Sequence, residues 1–82
     1  MMQLSCRKLG DLRRGERAIL DQIDLPAAEA RRLMEMGFLP GTQIIAGHSA
    51  PGGDPRVFQV DGSEIALRAE TAARLSIRQT GS

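Results

Sequence analysis

The stretch Arg32-Leu33-Met34-Glu35-Met36-Gly37-Phe38-Leu39-Pro40-Gly41 constrains this chain more than any other. It reads as the last turn of a helix, a glycine stop and a tight turn feeding a strand. Glycine has no Cβ to clash in the left-handed conformation that ends a helix, so Gly37 is the natural cap. Pro40 fixes φ for the first corner of a turn and Gly41 supplies positive φ at the second, which predicts a type II turn.

Around that punctuation the rest of the chain divides readily. Leu9 and Leu12 predict one turn of helix, broken at Arg14-Gly15. Arg17 to Ile23 reads as a strand, with Ala18-Ile19-Leu20 at its centre. Asp24 is placed to cap the following helix, and Pro26 falls in its first turn, where a missing N–H does no harm. Ala27, Ala30, Leu33 and Met34 then recur at helical spacing and are expected to face the core, while Arg31, Arg32 and Glu35 form a solvated face. That helix is expected to end at Met36.

Thr42 to Ser49 reads as a strand with Ile44 and Ala46 on one face and Ile45 on the other. Ala50 to Pro55 is a loop by composition. Arg56 to Val60 and Ser63 to Arg68 flank Asp61-Gly62, the strongest hairpin signal in the chain. Ala69 to Leu75 gives a short helical turn, Ser76 to Gln79 a closing strand, and Thr80-Gly81-Ser82 a loose tail. The expected fold class is therefore mostly β: a small barrel of about five strands, with one helix after the first and a helical turn before the last. Closing the sheet would protect the edges of so small a domain.

Size and charge exclude several functions. A chain of 82 residues is one domain, burying only about 60% of its unfolded surface, too little for a deep catalytic cleft. Net charge is +1, against the clear basic excess of a nucleic-acid binder. With no Trp, no Tyr and two Phe, neither a base-stacking platform nor an aromatic groove for proline-rich ligands can be built. One His and no nucleophile–base pair leave little for acid–base chemistry, so no enzyme is expected. Cys6 is the only cysteine and reads as a free thiol, which requires no oxidising compartment. No apolar core follows the N-terminus and no run spans a bilayer, so a cytoplasmic protein is expected.

The phrase Arg-Leu-x-x-Met-Gly-x-x-Pro-Gly resembles the FeoA family (ferrous iron transport protein A). Gly62 to Ala72, the loop Pro51-Gly52-Gly53-Asp54-Pro55, and Leu9, Leu12 and Gly15 are similar to further segments of that family. The likeness runs in order from about Leu9 to Ile77, within a single domain of residues 1–82 with a core of about 9–79. It implies an SH3-like barrel with a helix between its first two strands. It also implies a non-enzymatic cytosolic protein that binds FeoB, the GTPase-linked ferrous iron permease, and modulates its assembly or activity. The alternative is an Fe(II)-binding carrier or sensor that delivers metal to the transporter.

Partner contact is expected from Met36, Phe38 and Leu39, which flank the helix stop, together with Arg32, with core packing the equal alternative for Met36 and Phe38; methionine in particular adapts to partner surfaces. For Arg68, a structural pairing with Glu64 or Glu70 is as good an account as a functional role. His48 and Asp54 are the only weak metal candidates, and they fall short of the donor sets of a zinc or iron site. No cofactor is required, an adventitious divalent metal has room to bind, and a weak homo-oligomer is open.

Overall fold

In the computed structural model, which describes residues 7–79, the elements follow in the order β1 (Arg7–Lys8), β2 (Arg17–Ile23), α1 (Ala27–Glu35), β3 (Gln43–Ser49), β4 (Arg56–Val60), β5 (Ser63–Leu67), α2 (Ala69–Ala72) and β6 (Leu75–Gln79). A single 3-10 turn occupies Leu9–Asp11, and Pro51–Gly53 forms a tight turn in which Gly52 and Gly53 have positive φ (88° and 90°). Cys6 and the tail from Thr80 lie outside the described residues.

The strands form one antiparallel sheet in the order β1-β6-β2-β3-β4-β5. The mostly β architecture is as expected; among the described residues it has six strands rather than about five, and β1 does not pair with β5, so the barrel is not closed. The additional strand, β1, has two residues and exists through its partners, Arg7 opposite Ile77 and Lys8 opposite Ser76. No periodicity can mark so short an element. The inserted helix consequently follows β2.

Strand register follows from alternation. Ala18 and Leu20 of β2, Ile44 and Ala46 of β3, and Phe58 and Val60 of β4 all point into one core. Leu9, Leu12, Leu75 and Ile77 belong to the same buried cluster. The β4–β5 hairpin turns at Asp61 and Gly62, both with positive φ (53° and 81°), as a two-residue type I′ turn requires.

The helix begins later than expected. Pro26, not Asp24, is the N-cap. An N-cap at Asp24 would put Leu25 inside the helix, and the residue before a proline is disfavoured there. Asp24 is instead tied to the sheet, its N–H donating to the Arg74 carbonyl (2.9 Å).

The far end of α1 is a Schellman motif. Phe38 N–H donates to the Leu33 carbonyl (3.0 Å) and Gly37 N–H to that of Met34 (3.1 Å), with Gly37 at φ 111°. The motif brings the residue after the glycine back against the last helical turn. Phe38 is therefore driven inward onto Leu33 and is fully buried. The next turn is type II as read: Thr42 N–H donates to the Leu39 carbonyl (2.9 Å) and Gly41 has φ 95°.

Candidate functional site

The helix stop sorts its neighbours sharply. Leu33 and Phe38 go inside. Met34, Met36 and Leu39 remain outside at 37%, 41% and 47% exposure, the large exposed hydrophobics among the described residues. Two expectations are corrected here. Phe38 is core, because the Schellman return points its ring inward, and so it is removed from the contact surface. Met34 is surface: α1 touches the sheet along a narrow stripe in which only Leu33 is buried, leaving Ala27 and Met34 off it.

Met34, alone of the three, lines a depression of about 460 Å³, whose wall also includes Pro40, Ala30, Asp21, Asp24 and Lys8. Lys8 Nζ donates to Ser76 Oγ at 3.3 Å. Asp24 lies 3.8 Å from Arg74 Nη1. The site thus combines an adaptable apolar rim with a polar hollow, a surface suited to a protein partner rather than to chemistry on a small molecule.

Arg32, expected at the contact surface, is exposed and sits on a different groove. That groove, of about 400 Å³, separates α1 from β5 and is also lined by Arg68. Arg68 makes no ion pair with Glu64 or Glu70; the ion pairs among the described residues are Arg7–Glu16 and Arg74–Asp24. Arg68 caps α2 instead, its carbonyl accepting from Thr71 and Ala72 N–H (3.0 Å each).

His48 and Asp54 are differently employed. His48 is exposed on a shallow hollow beside Arg14, Val57, Gln59 and Glu64. Asp54 Oδ1 accepts the Ala69 N–H at 2.8 Å, capping the first turn of α2 from across the fold. No local pattern could have shown this, since the pair is fifteen positions apart. Among the described residues, no three or more His, Cys, Asp or Glu side chains converge as a metal site would require.

The surroundings of Glu16 perturb its carboxylate. Oε1 accepts the Arg13 N–H at 2.7 Å and lies 3.5 Å from Arg7 Nη2. The backbone hydrogen bond first, and the Arg7 and Arg13 charges after it, hold the carboxyl below its ordinary 4.5. Among the described residues, no helix is long and apolar enough to cross a membrane.

The FeoA domain model matches residues 7–79. The Fe(2+) transport protein A/Fe(2+) transporter FeoB fusion protein of Porphyromonas gingivalis is 29% identical over 70 residues, covering 85% of this chain and 8% of that protein. This chain thus corresponds to a small part of that relative. The FeoA protein of Chlorobium tepidum superposes with a TM-score of 0.86 at 28% identity, over 92% of this chain and 71% of that one. Stenotrophomonas maltophilia FeoA, solved in complex with zinc and described as an SH3 domain protein, superposes with a TM-score of 0.74 at 35% identity, covering 87% and 88%.

Proposed function

Because this chain belongs to the FeoA family, an accessory family of ferrous iron transport, we propose that it docks on the cytosolic part of a FeoB-type transporter and tunes its assembly or activity. The observation that carries the reading is the cluster of Met34, Met36 and Leu39 left outside at the helix stop. A monomeric domain of this size has little reason to expose three large apolar side chains together except to cover them with a partner. The Porphyromonas gingivalis fusion supports the choice of partner, since there the FeoA and FeoB portions share one polypeptide. The protein would work in the cytoplasm, without catalysing a reaction.

The test is titration of this protein into purified FeoB from the same organism, reading binding and GTP hydrolysis together. Met36→Asp and Leu39→Asp are each expected to weaken binding about tenfold or more while the domain stays folded, as loss of an anchor residue does. Binding that survives both substitutions would remove this surface from consideration. If the wild-type chain does not bind FeoB but takes up Fe(II) stoichiometrically under anaerobic calorimetry, the carrier reading replaces this one.

A further inference from the structure

Among the described residues the two ends of the sheet differ. At the β1 end the edge strand has two described residues, too short a stretch to template another chain. At the other end β5 pairs, among the described residues, with β4 alone. The hairpin fixes which of its backbone groups are free. Val60 and Ser63 face each other across a two-residue turn, so they form a hydrogen-bonded pair. Alternation then turns the N–H and C=O groups of Ile65 and Leu67 toward β4. Those of Glu64 and Ala66, and the Arg68 N–H, face the open side.

Beyond this edge lies the groove that separates it from α1. Leu25, Leu33 and Leu67 give it an apolar floor, with Leu33 and Leu67 each only 5% exposed. Arg32 stands on the helix side and Arg68 on the strand side, with Glu29 the one carboxylate lining it. None of these three charges belongs to an ion pair among the described residues. Two guanidinium groups against one carboxylate leave a groove that favours an acidic occupant.

We propose that this groove receives an extended, acidic peptide segment of a partner protein, which adds to the sheet alongside β5. The free backbone groups of Glu64, Ala66 and Arg68 supply the ladder. Alternate side chains of the peptide enter the leucine floor, and its carboxylates meet Arg32 and Arg68. Strand addition in a groove between a sheet edge and a helix is a recurrent recognition mode, with affinity from the main chain and selectivity from alternate side chains. The inference stands apart from the FeoB reading, which uses the opposite flank of α1.

The test is selection of a phage-displayed random heptapeptide library on the whole protein, followed by titration of the enriched peptides into the ¹⁵N-labelled chain. Enriched sequences should alternate apolar and acidic residues, with amide shifts centred on Leu33, Glu64, Ala66 and Arg68. Arg68→Glu should weaken binding about tenfold or more, as loss of a charge-assisted contact does, with the rest of the amide spectrum unchanged. Met36→Asp should leave peptide affinity as it was, which separates this site from the transporter surface. No enrichment, a basic consensus, shifts mapped elsewhere, or full affinity in Arg68→Glu would each overturn the proposal.

Discussion

Replacing Phe38 with alanine probes whether the residue after the helix-stopping glycine belongs to the core. The ring is fully buried beside Leu33 at the end of α1. Truncating a buried phenylalanine loses its transfer free energy and leaves a cavity, about 3–5 kcal/mol together. An 82-residue domain has a total stability of only about 4–12 kcal/mol at ordinary values per residue. The substitution therefore removes about a quarter of the stability or more. Each kcal/mol shifts the melting temperature of a domain this small by about 4–8 °C, so Tm should fall by about 12 °C at least. Thermal and urea unfolding followed by circular dichroism measure it. Met36→Ala, two residues earlier and exposed, is the matched control and should stay within about 0.5 kcal/mol. Equal effects of the two substitutions, or a loss under about 1 kcal/mol for Phe38→Ala, would refute the sorting of these side chains by the Schellman turn.

Other expectations follow from single contacts. Gly37→Ala should destabilise by about 1–2 kcal/mol, because an L-residue is strained in the left-handed region, here at φ 111°, and its Cβ would sit 3.4 Å from Val60 Cγ1; chemical denaturation reads the loss. Asp54→Ala should cost about 1 kcal/mol as a lost cap, with faster hydrogen exchange at the Ala69 amide, and Asp54→Asn should retain most of it. Glu16 titrates lower in the folded chain than its ordinary 4.5, so the stability it lends is complete above that value and is lost as pH falls through the lower folded one. Glu16→Gln should therefore flatten the acid side of the stability curve below about pH 4.5, and parallel curves for the two proteins would contradict the assignment.

Much of the fold was readable because its signals are local. Strands β2, β4 and the Asp61-Gly62 hairpin announce themselves within a few residues, as does the stop at Gly37. What escaped depends on distant partners. Strand β1 is created by β6, some seventy positions away, and the capping role of Asp54 by the approach of α2. Helical spacing alone made Met34 look buried, because it cannot say how wide a stripe the sheet will cover. Phe38 is the instructive miss. A glycine cap followed by a large apolar residue carries the Schellman signature in sequence, and with it the inward turn. The exposed group was thus half legible: Met36 and Leu39, expected at the surface from the punctuation, are exposed, while the exposure of Met34 and the burial of Phe38 needed the tertiary packing. Arg68, for which an ion pair and a functional role were equal readings, pairs with neither Glu64 nor Glu70 at the point where the chain turns into a helix.

The Pro40-Gly41 turn does more than redirect the chain. Gly41 N–H donates to the Leu20 carbonyl at 2.8 Å, and the Thr42 carbonyl accepts from Leu20 N–H at 2.9 Å, so the turn is laced to the middle of β2. At its other end the segment is anchored by the buried Phe38. Leu39 is thus presented from a loop whose backbone is fixed before any partner arrives. Little conformational entropy remains to be lost there on association. Loosening this lacing, for instance by lengthening the turn, should slow productive encounters and weaken the proposed complex without altering one side chain of the proposed contact surface.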